Sequence, residues 1–214
     1  MSPTAPDPAV SDPAVSDVPG SDPVAPDPSV VPTEHAKPER RRVASVVVVN
    51  TGDGKGKSSA AFGVVVRAVA RDWRVGVVQF LKSGKWRVGE EKVCRDRLGV
   101  DWFAIGEGFT WLSEDLSEDE AVAQEAWRHA AALIAAGEHR LVVLDEITYP
   151  MNWGWISTDE VVAVLRDRPD KVNVVCTGRD APAALVEVAD TVSEVRKVKH
   201  AYDTGVHAMK GIDY

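Results

Sequence analysis

Residues Val46–Ser59 read VVVVNTGDGKGKSS, and this stretch decides the fold. A run of four valines is typical of a strand covered on both faces, and here it leads directly into a glycine-rich turn. The turn approaches the phosphate-binding pattern G-x-x-x-x-G-K-[ST], with Gly56-Lys57-Ser58 as its anchor. The first glycine of the pattern is displaced by one place, because position 51 is Thr51 and the glycine is Gly52. The sequence predicts a strand, a phosphate-binding loop and a helix.

The side chains and backbone of this loop suit a triphosphate. Gly54 and Gly56 are expected to let the backbone approach phosphate oxygens and to point N–H groups at them. Lys57 supplies a cation, Ser58 supplies a hydroxyl for Mg²⁺ (or Mn²⁺), and the next helix supplies its positive N-terminal end. The predicted nucleotide-binding residues of the loop are Thr51, Gly52, Gly54, Lys55, Gly56, Lys57, Ser58 and Ser59.

A second acidic element complements the loop. Leu141–Leu144 is an apolar strand that ends in Asp145 and Glu146. A carboxylate at the end of a neighbouring buried strand is suited to hold Mg²⁺ or one of its waters, and Ser58 touches the same ion. Ser58, Asp145 and Glu146 are therefore the predicted metal ligands, and Glu146 is expected to face the reacting end of the nucleotide. The alternative is a strand that merely ends in solvated acids, but the order of the two elements along the chain favours the metal site.

The rest of the domain alternates between short apolar runs and helical segments. Predicted strands are 44–50, 75–81, 100–105, 141–145, 172–177 and 191–195. Predicted helices are 57–71, 89–98, 117–136, 157–166 and 181–188, two of which begin with a serine followed three residues later by glutamate, as in a capping box. Alternating strands and helices imply right-handed crossovers and a parallel sheet. The predicted fold is an α/β P-loop NTPase (RecA-like) three-layer sandwich with a mainly parallel sheet of about six strands.

The first 33 residues differ from the rest of the chain. They hold nine of the thirteen prolines and no aromatic residue, and an aspartate recurs every five residues from Asp7 to Asp27. Such a segment cannot bury enough apolar surface to offset the entropy of ordering it. Residues 1–33 are therefore predicted to be a disordered acidic tail, with a binding arm for a partner as the alternative. Residues 34–42 form a basic lead-in, and residues 43–214 form the P-loop domain.

Composition excludes several classes of protein. The net charge is −8, and the five acids of the tail account for most of it, which leaves −3 for the rest of the chain. A weakly acidic domain is a poor candidate for binding nucleic acid. There is no secretory signal and no run near the roughly 18 apolar residues that span a membrane, so a cytoplasmic protein is predicted. Cys94 and Cys176 lack metal-ligand spacing and are predicted to be buried free thiols.

Beyond the loop, a set of ordered motifs resembles one family, the P-loop-type ATP:corrinoid adenosyltransferases of cobalamin biosynthesis. The resemblance runs from Val46 to Tyr214, and the shifted first glycine is this family's form of the loop. The matching segments are TGDGKGKSSAAFG (51–63), VQFLK (78–82), GFTW (108–111), LDEITY (144–149), TGR (177–179), VKHAYDTG (198–205) and GIDY (211–214).

The resemblance implies transfer of the 5′-deoxyadenosyl group of ATP to the cobalt of a reduced corrinoid, with release of inorganic triphosphate. The nucleotide then lies in the loop in reversed sense, so that Lys57 and Mg²⁺ stabilise the leaving triphosphate, with Glu146 as a further catalytic residue. Phe109 and Trp111 are expected, by position, to wedge against the lower face of the corrin and exclude a ligand from cobalt; core aromatics are the alternative. The resemblance also implies a homodimer and a flavin-type reductase as electron source. It makes residues 43–214 the adenosyltransferase domain and the lead-in, residues 34–42, a candidate cover for its active site.

Other positions carry weaker expectations. The resemblance implies that Arg179, at the end of a strand, contacts a phosphate or the ribose. It also implies that Lys199, His200 and Asp203 help close the site, with His200 ranked below Lys199. Asp53 stands where the family often has asparagine, and an acid beside triphosphate is expected to face Mg²⁺ or solvent. The tryptophans at positions 153 and 155 are expected to lie in the core.

A second class of function uses the same loop. A nucleotide-dependent regulator or assembly ATPase would cleave the β–γ bond of ATP, would hydrolyse ATP without corrinoid, and would have no need of Phe109 and Trp111. Generic P-loop motifs do not separate these two classes, because a fold does not determine the chemistry done on it.

Overall fold

The valine-rich runs become strands of one parallel sheet in the computed structural model, which describes residues 39, 41–81, 89–104 and 116–213. The strands are β1 (Val47–Thr51), β2 (Val75–Gln79), β3 (Asp101–Ala104), β4 (Leu141–Asp145), β5 (Asn173–Thr177) and β6 (Thr191–Glu194). Every adjacent pair is parallel, in the order β3-β2-β4-β5-β1-β6. All six predicted strands are present, and the predicted α/β P-loop fold is confirmed.

Helices cover the sheet on both sides. They are α1 (Lys57–Val69), α2 (Gly89–Leu98), α3 (Leu116–Ala136), α4 (Thr148–Asn152), α5 (Thr158–Arg166) and α6 (Ala183–Val188), followed by a 3₁₀ turn at Ala201–Thr204. Ser157 caps α5, because its side chain accepts a hydrogen bond from the Glu160 N–H at 3.4 Å. Ser117 was predicted to begin the third helix as its cap. This prediction is wrong, because α3 already begins at Leu116.

The short helix α4 escaped prediction. It is five residues long and contains Pro150, which lacks an N–H and normally argues against a helix interior. The proline is tolerated because it lies in the first turn, where N–H groups have no partner within the helix. This helix directly follows Glu146 and carries Tyr149 towards the site described below.

The alternation of side chains along the strands creates two separate apolar cores. On β4, Val142 and Leu144 join a cluster with Ile134 of α3, whereas Leu141 and Val143 join a second cluster with residues of α1. Because successive residues of a strand point to opposite faces, a continuous apolar run requires cover on both sides. This arrangement confirms the three-layer sandwich.

The order of the strands corrects one detail of the sequence prediction. The acidic strand β4 was expected to neighbour the phosphate-loop strand β1, but β5 lies between them, and Val49 of β1 pairs with Cys176 of β5. All carboxyl ends of a parallel sheet meet at one edge, so the loop and the acids still face the same space. The residues at the end of β5, Thr177 to Arg179, therefore lie between the loop and the acids.

The tail (residues 1–33) and most of the lead-in (residues 34–42) lie outside the described residues, so their predicted roles stay predictions. In the parts of the chain that the structure describes, no helix combines the length and the apolar character needed to cross a membrane.

Candidate active site

The displaced glycine of the loop has a structural cause. Gly52 has φ of 97°, and a Cβ built on it would lie 2.6 Å from the carbonyl oxygen of Val195. Val195 follows β6, which pairs with β1 in parallel, so the loop leaves β1 tightly against the chain that leaves β6. A side chain at position 52 therefore meets both an unfavourable backbone conformation and a fixed backbone atom.

Gly54 and Gly56 serve different purposes. The N–H of Gly54 donates to the Val195 carbonyl at 2.7 Å, and a Cβ there would lie 2.8 Å from the carbonyl group of Arg196. The expectation that this N–H points at phosphate is therefore wrong, because it is used inside the protein. Gly56 has φ of 124° and nothing within 4 Å of a Cβ built on it, so it faces open space. A ligand can therefore approach the backbone closely at Gly56.

Lys57 is the first residue of α1, and its ammonium donates to the Gly54 carbonyl at 2.8 Å. Burial lowers the pKa of Lys57 below its ordinary value, and the nearby Arg179 guanidinium lowers it further, while Glu146 and Asp53 act in the opposite direction. Because the N-cap of α1 is Gly56, which makes no side-chain cap hydrogen bond, the first N–H groups of the helix are not taken by a capping residue. Phosphate oxygens are suitable partners for both the N–H groups and the lysine.

Asp145 lies behind the pocket wall. It is fully buried, and its two oxygens accept hydrogen bonds from the Thr177 hydroxyl at 2.8 Å and from the Gln79 amide at 3.1 Å. Of the two modes of metal contact predicted for this residue, the one through a water fits this arrangement, since both oxygens already face protein donors. A metal contact by Asp145 stays a prediction.

Glu146 reaches the pocket from an unusual backbone conformation. Its φ of 64° lies in the left-handed region, which non-glycine residues rarely adopt. Its N–H donates to the Thr177 hydroxyl at 2.9 Å, and its side chain lines the pocket together with Ser58. Backbone strain held in place by surrounding structure is found preferentially at functional sites.

These elements enclose one polar pocket of about 260 Å³ above the carboxyl ends of the strands. Of the predicted site residues, it contains Gly54, Lys55, Gly56, Lys57, Ser58, Ser59, Glu146 and Arg179. Its walls also hold Asp53, Phe62, Glu90, Tyr149, His200 and Asp213. The two residues of the predicted corrin wedge, Phe109 and Trp111, lie outside the described residues.

Two predicted loop residues are supports rather than pocket walls. The hydroxyl of Thr51 accepts a hydrogen bond from the Ala181 N–H at 3.1 Å, which ties the end of β1 to the chain after β5. Gly52 is held against Val195, as described above. Neither residue lines the pocket, so their assignment to the nucleotide stays a prediction that this geometry does not favour.

The C-terminal segment closes one side of the pocket, through His200 among the predicted residues and through Asp213, which was not assigned to the site. Asp213 lines the pocket and forms an ion pair with Lys55 at 2.5 Å, and this lysine holds the pKa of Asp213 below its usual range. His200 also lines the pocket, and its Nδ1 accepts the Tyr202 N–H at 3.1 Å, which fixes the ring. The ranking of Lys199 ahead of His200 stays a prediction, which this geometry does not favour.

Neither Lys199 nor Asp203 lines the pocket. Asp203 forms an exposed ion pair with Lys197 at 3.1 Å, on the outside of the C-terminal segment. Their predicted contacts with the nucleotide stay predictions, and they require the segment to move.

Sequence reasoning did not assign Phe62, Glu90 and Tyr149 to the site. Phe62 and Tyr149 both fall within the quoted motifs, which was a usable signal, whereas Glu90 lies on α2 without any pattern around it. Burial raises the pKa of Tyr149 above its ordinary value, so its hydroxyl is a neutral donor at physiological pH.

Two expectations about packing had different outcomes. Trp155 packs against the core, but Trp153 is 39% exposed, so its assignment to the core is wrong; the two rings lie 4.7 Å apart. Cys94 and Cys176 are free and buried, as predicted. Burial raises the pKa of the Cys94 thiol to about 11 and that of Cys176 to about 12.

A glycine-rich loop between β1 and α1, an acidic pair after β4 and one strand between them together define a P-loop nucleotide-binding protein. The comparison with known proteins is more specific. Residues 44–214 match the family described as ATP:corrinoid adenosyltransferase BtuR/CobO/CobP.

Related proteins agree with this match. The corrinoid adenosyltransferase of Escherichia coli (strain K12) is 44% identical over 169 residues, which cover 79% of this chain and 85% of the relative. The corrinoid adenosyltransferase of Pseudomonas aeruginosa is 44% identical over 177 residues, covering 82% and 87%. Corrinoid adenosyltransferase CobA of Salmonella typhimurium is 42% identical, covering 79% and 85%.

The chain belongs to the ATP:corrinoid adenosyltransferase family. The resemblance drawn from the motifs is thereby confirmed, as are the transferase class and the prediction of ATP-dependent adenosylation of a corrinoid in cobalamin biosynthesis.

Proposed function

We propose that the pocket around Lys57 binds the triphosphate of ATP and that the chain transfers the 5′-deoxyadenosyl group to the cobalt of a reduced corrinoid. In this reaction cobalt(I) supplies an electron pair to the ribose C5′, the C5′–O bond breaks, and its electron pair leaves with inorganic triphosphate. The observation that carries the proposal is the pocket itself, in which Lys55, Lys57 and Arg179 line a polar space of about 260 Å³ in a member of this family.

The chain's own contribution is to stabilise the leaving group. Negative charge grows on the α-phosphate oxygen as the C5′–O bond breaks, and fixed positive groups accelerate that step more than they favour ATP itself. Lys57 at the start of α1, with Arg179 opposite, is positioned for this role. The nucleophile belongs to the corrinoid, so no side chain of the pocket has to supply one.

A magnesium ion fits the residues present. Among the described residues, no group of three or more His, Cys, Asp or Glu side chains has a metal-binding arrangement. Mg²⁺ bound to a nucleotide takes most of its ligands from phosphate and water, so one hydroxyl and one carboxylate from the protein suffice. Ser58 and Glu146 are hard oxygen donors on the same pocket, and we assign the ion to them, with Asp145 behind. When bound, Mg²⁺ (or Mn²⁺) would neutralise charge on the triphosphate.

Several finer features complete the proposal. Phe109 and Trp111 cover the lower face of the corrin and exclude an axial ligand, which makes the cobalt easier to reduce. A flavin-type reductase supplies the electrons, and the enzyme acts in the cytoplasm as a homodimer. Family membership supports these features.

The test of the reaction is an anaerobic assay with ATP, a chemical reductant and a corrinoid. Cob(I)yrinic acid a,c-diamide, cobinamide and cobalamin are compared, so the assay also identifies the preferred acceptor. A light-sensitive cobalt–carbon absorbance with one triphosphate released per adenosyl group is expected. ADP and orthophosphate as the products, formed without corrinoid, would instead identify an ATPase.

One variant separates these reactions, and a second serves as its reference. Replacing Phe109 and Trp111 together with alanine should abolish most adenosylation but should spare an ATPase, which has no corrin to hold. Lys57→Ala serves as the reference for loss of nucleotide binding, because it damages both activities.

A further inference from the structure

Three buried polar side chains lie in a row at the carboxyl edge of the sheet. Gln79, Asp145 and Thr177 are the last residues of β2, β4 and β5, three strands that are adjacent in the sheet. Their exposures are 1%, 0% and 0%. Polar groups buried among valines are unfavourable unless they are hydrogen-bonded, so a connected row of them requires an explanation beyond packing.

The hydroxyl of Thr177 joins both residues of the acidic pair. It donates to Oδ1 of Asp145 at 2.8 Å and accepts the N–H of Glu146 at 2.9 Å. A backbone N–H only donates, so the hydroxyl oxygen accepts the N–H of Glu146, and the hydroxyl hydrogen is left to point at Asp145. The Gln79 amide donates to Oδ2 of Asp145 at 3.1 Å and holds the other side of that carboxylate. One hydroxyl thus fixes the direction of the chain at the point where it leaves β4.

Glu146 needs such support because its own conformation is unfavourable. Its φ of 64° is strained for a residue with a side chain, so surrounding contacts must hold the peptide there. Its φ and its N–H together determine where its carboxylate enters the pocket beside Ser58. Loss of the Thr177 hydroxyl would leave the N–H of Glu146 without this acceptor and Asp145 with one donor fewer.

We propose that Thr177 is a positioning residue for adenosyl transfer, which acts by holding the backbone of Glu146 so that its carboxylate faces the metal–triphosphate unit. The inference rests on the proposed function for its link to the reaction. It predicts a specific defect, in which the magnesium-dependent part of ATP binding and turnover is lost while the contacts between the loop and the triphosphate remain.

The test compares three variants of the full chain. Thr177→Val keeps the shape of the side chain and removes both hydrogen bonds, whereas Thr177→Ser keeps the hydroxyl. Val174→Ala is the matched control, because it creates a cavity in the core on the same strand, at a position that pairs with Val142 rather than with a member of the polar row. For each variant, calorimetry gives the ATP Kd with and without Mg²⁺, the corrinoid assay gives kcat and KM, and a thermal melt gives Tm.

A clear pattern is expected. Thr177→Val should lower kcat or raise the Kd for MgATP by at least about tenfold, the size of one lost buried hydrogen bond. Its Kd for ATP without Mg²⁺ should stay within about threefold of wild type, and Thr177→Ser should restore MgATP binding and turnover to within about threefold. Val174→Ala should lower Tm and keep the wild-type response to Mg²⁺. A Thr177→Val enzyme with an unchanged response to Mg²⁺, or a serine variant as defective as the valine variant, would overturn the inference.

A double-mutant comparison tests the route of the effect. If Thr177 acts through Glu146, then Thr177→Val should lower kcat little further in a Glu146→Gln background, because the two residues act as one unit. Additive losses would contradict this route. Should Thr177→Val fail to fold, Thr177→Ala removes the same hydroxyl without a new methyl group against Asp145, and the same criteria apply.

Failure of the proposed reaction is recognised separately. ATP binding with and without Mg²⁺ is measured in the absence of corrinoid. A wild-type chain that forms no cobalt–carbon bond would refute the adenosyl transfer, while the Mg²⁺-dependent Kd values would still decide the role of Thr177.

Discussion

The substitution Gly52→Ala should destabilise the fold without direct involvement of a ligand. A side chain at φ of 97° costs about 1–3 kcal/mol. The new Cβ would also lie 2.6 Å from the Val195 carbonyl oxygen and 3.0 Å from the Val195 nitrogen, both of them backbone atoms that cannot rotate away. Such overpacking costs about 1–3 kcal/mol more, for a total of about 2–6 kcal/mol.

This loss is large compared with the stability of a typical domain, which is about 5–15 kcal/mol. For a chain of this length, each kcal/mol corresponds to a shift in Tm of roughly 2–4 °C, so Gly52→Ala should lower Tm by roughly 4–24 °C. Differential scanning calorimetry without nucleotide measures the shift, and urea titration gives the free energy of unfolding.

Gly56→Ala is the matched control within the same loop. Gly56 also has positive φ, of 124°, but a Cβ there has nothing within 4 Å, so only the conformational part of the cost applies. It should therefore lower Tm less than Gly52→Ala does, while weakening ATP binding more, because its open side faces the pocket. A Gly52→Ala protein that melts within 2 °C of wild type, on the scale of about 2–4 °C per kcal/mol, would refute this reasoning, as would a larger loss of stability in Gly56→Ala.

Three further outcomes are expected. Asp213→Asn should tighten ATP binding by about two- to fivefold in calorimetry, because Lys55 is then released from its exposed ion pair. Weaker binding would instead show that Asp213 assists the binding of the nucleotide. ATP affinity should decrease as the pH rises through the lowered pKa of Lys57, at a lower pH than for an ordinary lysine of pKa 10.5. A Lys57→Met control should lack this decrease in affinity. A decrease at the ordinary lysine pKa would contradict the burial of Lys57. Cys94 and Cys176 should resist a colorimetric thiol reagent at pH 8 in the native protein and react with it after denaturation. The reason is that burial raises the pKa of their thiols to about 11 and about 12, respectively. Rapid labelling of the native chain would refute their burial.

The sequence was sufficient for those features that depend on local pattern. The valine runs predicted the strands because only a doubly covered strand tolerates continuous apolar residues, and the loop Gly52–Ser59 was recognised by its spacing. Glu146 and Arg179 were assigned to the site because carboxyl ends of parallel strands share one edge.

Features that depend on long-range contacts were not accessible in the same way. The role of Gly54 is set by Val195, which is far away in sequence, so the glycine alone suggested contact with a ligand. The function of Thr177 depends on β5 lying between β1 and β4, an order that periodicity does not encode. Asp213 and His200 reach the pocket through the path of an exposed segment, which carries no periodic signal.

The position of β1 between β5 and β6 has a consequence for how the enzyme is made. The phosphate-binding loop is synthesised early, but β1 pairs only with strands from the last third of the domain, and the Val46 N–H finds its acceptor on Asn173, 127 residues later. The carbonyl that holds Gly54 comes later still. Contacts of such large sequence separation form late in folding. A partly synthesised chain therefore carries the loop without the framework that shapes it, and the ability to bind ATP arises only when synthesis is almost complete.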